Sequence, residues 1–438
     1  LGHGRVFSST FPPVRLPLEF AAGAPAARRV IPSGSPAMSA PLSSQLRVHP
    51  AISEIPRDTW NALVPADSVP FLEWEWLDAL ESSGSAAAER GWRPSHLALW
   101  EGTRLVAATP AYIRSDSHGE FVFDWTWATA AERVGIRYYP KLVVAVPFAP
   151  VTGARFLVAP GEGRAARVRQ LVHGLVELAR GQGLSSVHIL FPREAEAEEL
   201  GQLGFAIRHG VQYHWLNRGY RSFEEFLERF RSKRRTQLRR ERRAPGEQRI
   251  VLRTVRGAEL AQVDPGSVFD IYAATVGKYL FGLRYLTPAF FERVFSTLAH
   301  RLELVEARRD GRLVGGAFNV ASPETLYGRY WGCFEEHPFL HFNVCLYHPI
   351  EEAIARGLSR FEPGAGGEHK LVRGFEPSLT YSAHWIFDMR LDRAIRQFLE
   401  HERNAIRDGL PRWYQDTGFR RTAPLPTPGG RREGGHGA

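Results

Sequence analysis

The chain has 438 residues, 44% of them hydrophobic and 24% charged, with a formal net charge of +9. That length is two to three times the usual single domain, and the composition excludes a wholly disordered, collagen-like or coiled-coil chain. The uncharged run from Lys141 to Arg155 is broken by Pro147 and Pro150, so no transmembrane helix is expected. Only Cys333 and Cys345 are present, which excludes a disulfide framework and a four-thiolate zinc site and points to a reducing cytoplasm.

Residues 1–45, rich in Pro, Ala, Ser and Arg with the single acid Glu19, are expected to form a disordered leader. An organellar transit segment and a start at Met38 both account for that composition. The first half of the body is expected over 46–217. A β-hairpin is predicted from His96–Trp100 through Glu101-Gly102-Thr103-Arg104 to Leu105–Ile113, followed by a strand at Phe121–Trp127. An irregular inserted loop is expected over 133–160. A helix at Ala166–Arg180 then leads into a strand at Leu184–Phe191. The half closes on Gly204-Phe205 followed by His214-Trp215.

Residues 218–250 form a connector. Phe223, Phe226, Leu227 and Phe230 recur at helical spacing and run into residues 229–243, which hold nine Arg or Lys against Glu241. With each tail also basic, the positive charge is local rather than a property of the whole surface. The second half, 251–400, repeats the order of the first. A hairpin at Leu302–Ala307 and Leu313–Val320 turns at Asp310-Gly311-Arg312, and a third strand spans Thr325–Phe334. A helix starts near Pro338, a strand follows at Leu358–Phe361, and the half closes on Gly374-Phe375 with His384-Trp385. A helix remnant and a disordered tail are expected over 401–438.

The duplicated order of elements, strand, strand, strand, helix, strand with a closing strand, resembles the acyl-CoA N-acyltransferase (GNAT) fold of the FemAB-like group. Strings that carry the resemblance are Gly119-Glu120-Phe121-Val122-Phe123-Asp124-Trp125, Tyr138-Tyr139-Pro140-Lys141, Tyr327-Gly328-Arg329-Tyr330-Trp331-Gly332 and Phe361-Glu362-Pro363-Gly364-Ala365. Gly367-Glu368-His369-Lys370 with Arg373-Gly374-Phe375 completes the set. The resemblance implies an α/β fold of two tandem GNAT-like mixed-sheet domains joined by a basic connector helix. It also implies transfer of an acyl or aminoacyl group from acyl-CoA or aminoacyl-tRNA to a small-molecule or cell-wall-precursor amine. Where the superfamily carries a glycine-rich pyrophosphate loop, this chain has Gly332-Cys333-Phe334-Glu335-Glu336-His337-Pro338, so the resemblance supports acyl transfer more strongly than coenzyme A as the carrier.

Acyl transfer to an amine needs a base, donors for the oxyanion and a proton for the leaving group. Glu368 or His369, emerging from the glycines 364–367, is the expected base. Lys370 and Arg373 are placed to hold an anionic substrate group, with a mutually paired solvent loop as the alternative reading. Tyr327, Arg329 and Trp331 are expected on one face of the third strand and Tyr330 on the other, with Tyr327 or Tyr330 as the acid. Arg329, if buried, needs an anion, whether substrate or a structural carboxylate. Asp124, Tyr139 and Lys141 are expected along a cleft between the halves, with packing and surface roles as the alternative for Tyr139 and Lys141. His341, near the helix start, is expected to be a substrate contact. His337, His341, Cys345 and His348 span about 16 Å on one helix, so they do not converge on one metal ion. Residues 229–243 fit tRNA phosphates, an anionic membrane surface or a solvated face. A binding module that recognises a peptidoglycan precursor or an RNA is the alternative to an enzyme.

Overall fold

The computed structural model describes residues 44–161, 163–276 and 284–420. Apart from Ser44 and Gln45, the expected leader lies outside the described residues, as does the tail from Thr422. The first half runs β1 (Ser44–His49), α1 (Arg57–Asn61), α2 (Trp74–Ser82), β2 (Trp92–Pro94), β3 (His96–Glu101), β4 (Arg104–Thr109) and β5 (Ala111–Arg114). It continues through α3 (Trp125–Arg133), β6 (Lys141–Val144), β7 (Leu157–Val158), α4 (Arg164–Gly181), β8 (Ser186–Leu190), α5 (Glu194–Gln202) and β9 (Ala206–Leu216). The connector is α6 (Phe223–Glu228) and α7 (Ser232–Glu247). The second half begins β10 (Ile250–Arg256), α8 (Pro265–Val276), α9 (Pro288–Thr297), β11 (Leu302–Arg309), β12 (Arg312–Ala321) and β13 (Thr325–Cys333). A helix then starts as α10 (Leu340–Phe342), passes through a π turn (Asn343–Tyr347) and continues as α11 (His348–Ala355). β14 (Arg360–Glu362), β15 (Glu376–Ile386) and α12 (Met389–Asp416) end the described chain.

Eleven strands form one sheet in the order β10-β11-β12-β13-β14-β9-β15-β8-β6-β5-β2, and four more form a second, β1-β3-β4-β7. In each half one parallel pair marks the βαβ crossover: Leu142–Val144 with Val187–Ile189, and Thr325–Tyr327 with Arg360–Glu362. These are two tandem GNAT-like halves, and they exchange their closing strands. β9 of the first half pairs with β14 of the second, while β15 of the second pairs with β8 of the first. β9 and β15 then pair with each other from Glu376 opposite His214 to His384 opposite Ala206, so the halves share one sheet.

Three expectations need correction. Phe121–Trp127 is not a strand: Phe121 and Phe123 adopt left-handed backbone, with φ of 60° and 54°, and α3 starts at Trp125. Buried Trp127, Ala130 and Ala131 sit three and four residues apart, the period of a helix face. The third strand of the first half is instead β6, inside the expected irregular insertion. Its run Leu142-Val143-Val144 is fully buried between β5 and β8. Finally, Leu105–Ile113 is two strands, because Pro110 interrupts the ladder and sends β4 and β5 into different sheets. The expected C-terminal remnant belongs to the 28-residue α12, whose buried Leu391, Ile395, Phe398, Leu399, Glu402 and Ile406 keep one face inward.

β13 packs closely on α8 through Gly332. A Cβ there would lie 1.9 Å from the Ile271 carbonyl oxygen, and a neighbouring backbone has no side-chain freedom with which to yield. Gly332→Ala is therefore expected to separate α8 from the sheet and lower the melting temperature by several degrees, read by circular dichroism.

Candidate functional site

β13 and β14 pair over only three residues each, after which β13 stays with β12 as far as Cys333 while β14 ends at Glu362. The chain leaves β14 through Pro363 and Gly364 and returns in a 3₁₀ turn, Glu368–Arg373. Lys370 on this turn is buried, and its Nζ donates to the carbonyl oxygens of Gly364 at 2.8 Å and Pro363 at 3.4 Å. Among the described residues no carboxylate lies within ion-pair distance of it. Burial pushes its pKa down to about 8. Gly367 turns the chain with φ of 88°, where a Cβ would lie 2.8 Å from the His369 ring and 3.2 Å from Lys370 Cε.

Across from this turn stands the start of α10. The Trp331 and His341 rings lie 4.5 Å apart, His341 and His369 5.8 Å, and Phe342 and His369 5.7 Å. Burial, with neighbouring His369, Lys370 and Arg373, pushes His341 down to about 3. Surrounding protein and the same two cations push His369 down to about 4, although its outer edge is exposed. Both imidazoles are neutral at pH 7. Glu368 is exposed at the rim of the same turn. Of the stripe considered for metal, His337 meets Glu335 at 3.4 Å and His348 meets the Thr254 hydroxyl at 2.9 Å.

The expectation that Lys370 and Arg373 act together is not met by their partners. Arg373 is buried and gripped by Glu241 of the connector, with contacts of 2.9 and 3.1 Å, and it also donates to the Tyr347 hydroxyl and the His369 carbonyl. Its charge is neutralised inside the protein, which leaves Lys370 as the cation of the turn.

β13 also departs from simple alternation. The register with β12 shifts at Arg329, with Phe318 opposite Tyr330 and Asn319 opposite Gly328, so Arg329 occupies a β-bulge. Tyr327 and Tyr330 consequently share the face that packs on Phe71, Tyr272 and Phe318. Arg329 lies over Phe71 and Tyr330 on that face, while Trp331 points to the other with His341. Tyr330 is thus separated by the sheet from Glu368, His369 and Lys370, contrary to the expectation of one catalytic group.

Asp124 and Lys141 are interior residues rather than the lining of a cleft. Lys141 Nζ donates to Asp124 at 2.6 Å, Glu120 at 2.8 Å and Ser117 at 2.8 Å. Tyr138 donates to the same Asp124 oxygen, and half-buried Tyr139 contacts Ser117 at 2.7 Å. Burial disfavours every charge here and is the largest influence on Asp124, yet Lys141, His188 and the hydrogen bonds from Lys141 and Ser117 together outweigh it and hold that carboxyl below its usual range. Burial dominates at Glu120, whose pKa rises to about 7. The network ties down the loop whose Phe121 and Val122 pack against Val143, Ala145, Leu190 and Phe191, so apolar side chains fill the end of the first half's parallel pair. Lys141→Met leaves buried Asp124 without its cation and Glu120 with Arg114 alone, and is expected to cost about 3–5 kcal/mol, measured by denaturant unfolding.

Sequence reasoning missed Glu120, Glu241 and the buried pair His188 and His384, whose Nδ1 atoms lie 2.6 Å apart where β8 meets β15. The offset that repeats His214-Trp215 as His384-Trp385 was a signal for the strand joint, but pairing between halves is not written in local spacing. Over residues 51–421 the sequence matches the FemAB-like family, described as peptidoglycan biosynthesis/recognition. The chain belongs to this family.

Similar solved structures include the C-terminal domain of a putative lysylphosphatidylglycerol synthetase from Agrobacterium fabrum, at 11% identity and a TM-score of 0.47, covering 80% of this chain and 97% of that one. FemX is 11% identical with a TM-score of 0.46, covering 81% and 100%. A tandem GNAT protein from the clavulanic acid biosynthesis pathway is 14% identical with a TM-score of 0.41, covering 78% and 98%. No curated protein matches the sequence.

The basic connector of this FemAB-like chain borders the second-half site. Arg239 pairs with Glu224 and Arg242 with Glu351, whereas Arg231, Lys233, Arg235, Arg240 and Arg243 have no carboxylate partner among the described residues. Arg240 lies 5.8 Å from the Phe339 ring, next to the helix that carries His341. The apolar residues Phe226, Leu227 and Phe230 of the connector are buried in the core with Phe361 and Phe375, so the expected amphipathic face is not presented to a membrane. No helix among the described residues is long and apolar enough to cross a membrane.

Proposed function

We propose that this FemAB-like chain transfers an acyl or aminoacyl group from a carrier to an amine acceptor in peptidoglycan biosynthesis, at the splayed end of β13 and β14. Lys370 carries this reading: a buried ammonium held by two carbonyl oxygens, beside two imidazoles that burial keeps neutral. Attack of the amine on the acyl carbon forms the C–N bond, moves the carbonyl electron pair onto oxygen and makes the attacking nitrogen acidic. Neutral His369 then accepts the nitrogen's proton, with Glu368 on the same turn as the second candidate base. Lys370 faces the oxyanion, and its pKa of about 8 suits donation of a proton to the carrier atom as the carbonyl re-forms and the carrier bond breaks.

Two features support aminoacyl-tRNA over acyl-CoA as the carrier. Arg240 of α7 lies beside the helix that carries His341, and Lys233, Arg235 and Arg243 of α7 likewise have no carboxylate partner among the described residues, a pattern that suits a long phosphate backbone. At the junction where a pyrophosphate would dock, the Leu340 amide is occupied by the His337 carbonyl, and Glu335 and Glu336 are adjacent. Purified protein supplied with aminoacyl-tRNA or acyl-CoA and an amine-bearing stem peptide is expected to form an amide, detected by mass spectrometry. Its yield should fall on His369→Ala with the fold retained. Binding of tRNA or precursor without any amide product from either donor would replace this reading with a binding module.

A further inference from the structure

The chemistry at Lys370 leaves one cation of the second half without a task. Several other arginines with little exposure are held by carboxylates: Arg114 by Glu120 and Asp116, Arg208 by Glu402, Arg356 by Glu303 and Arg373 by Glu241. Arg155, which has no ion pair among the described residues, uses all three of its nitrogens on the carbonyls of Leu190, Ala154 and Val151. Arg329 differs from all of these. One terminal nitrogen donates to the Phe148 carbonyl, its Nε is buried with no partner, and no carboxylate of the described residues pairs with it.

The surroundings hold this guanidinium in place without satisfying it. The bulge in β13 aims it over Phe71 at 5.3 Å and Tyr330 at 5.5 Å. Phe148 comes from the first half in left-handed backbone, φ 59°, and its ring stacks on Tyr285 at 4.7 Å. Burial raises the pKa of the Tyr330 hydroxyl, against the charge of Arg329 and a hydrogen bond that the hydroxyl oxygen accepts from it, and the hydroxyl proton has no acceptor among the described residues. Two adjacent donors, one of them a fork-shaped cation, match the paired oxygens of a carboxylate or phosphate. A buried donor left unbonded is costly, so a ligand oxygen that satisfies it is favoured.

We propose that Arg329 and Tyr330 recognise an anionic group, a carboxylate or a phosphate, on the amine acceptor, which lies on the sheet face opposite Lys370 and passes its amine to that side through the opening where β14 leaves β13 after Tyr327. This rests on the transfer reading for the acceptor's identity, but the anion site itself does not. Titration calorimetry of the full chain separates the two ideas, with inorganic phosphate, a short N-acyl dipeptide with a free carboxylate, and the same dipeptide as its amide. Wild type is expected to bind phosphate or the carboxylate dipeptide saturably and not the amide, and whichever binds identifies the anion. Arg329→Met should weaken that binding at least tenfold, with Arg329→Lys intermediate and Tyr330→Phe, which keeps the ring, also weakened. Lys370→Met should bind the anion as wild type does. Absence of anion binding by wild type, or equal affinity in Arg329→Met and Tyr330→Phe, overturns the proposal; if Arg329→Met does not fold, Arg329→Lys and Tyr330→Phe decide it. Arg329-dependent binding in a protein that transfers no acyl group would sink the transfer reading and leave the anion site standing.

Discussion

Residues 44–217 and 218–420, produced as separate chains, are expected not to fold on their own and to regain a cooperative transition only when co-expressed. The reason is the exchange of closing strands. β9 is flanked by β14 and β15, both from the other half, and β15 is flanked by β9 and β8, both from the first. The isolated first half would keep β8 with an open edge and β9 with no neighbour in the sheet. Its central ladder groups would be exposed to pairing with other chains. The second half would lose the strand beside β14 and the surface on which β15 and α12 rest. Across the same joint, Arg208 of β9 pairs with Glu402 of α12 at 2.8 Å. Size-exclusion chromatography and thermal melts of each half, alone and together, measure the effect. A sharp melt from either half alone would show that the shared ladder is not needed for folding.

Lys370→Met is expected to abolish transfer, by about 10²–10³-fold for a lost oxyanion donor, while making the protein more stable at pH 7. The two effects have one cause. Burial lowers the folded pKa of Lys370 to about 8, below the ordinary 10.5. Between these values the unfolded chain binds the proton and the folded one does not, so stability rises with pH across that window. Below pH 8 the buried charge costs the fold on the order of 3 kcal/mol, which methionine of similar length removes. Wild type should therefore gain stability from pH 8 to 10.5 as its transfer rate falls, because the ammonium is lost above about pH 8. Lys370→Met should show neither trend. Unfolding midpoints and initial rates measured over that range check both, and a variant that keeps wild-type turnover would remove Lys370 from the chemistry.

The duplicated order of elements, the hairpins, the crossover helices and the basic connector were legible in the sequence, because each rests on local spacing: alternation for strands, three-and-four periodicity for helices, glycine at turns. The same local signals grouped Glu368, His369 and Lys370 on one glycine-flanked turn and put His341 near a helix start, while the pairing of β13 with β14 brings the two together at one end of the sheet. What failed was whatever depended on partners far along the chain. Phe121–Trp127 alternates as a strand does, but packing of Trp127, Ala130 and Ala131 selects a helix. Arg373 reads as a substrate cation until Glu241, 132 residues away, neutralises it. Asp124 and Lys141 read as a cleft and are an interior ion pair.

The bulge at Arg329 shows the division most clearly. Alternation along the sequence puts Arg329 with Trp331, and one extra residue in the ladder moves Arg329 to the face of Tyr330. Local spacing was enough for most of the elements and for the side chains that carry chemistry, because backbone sterics and hydrophobic periodicity act over a few residues. Which half completes which sheet, which charges are neutralised and which face each group serves were settled by packing between distant segments. Those outcomes depend on long-range pairing and on the large cost of leaving a buried charge or backbone group unpaired.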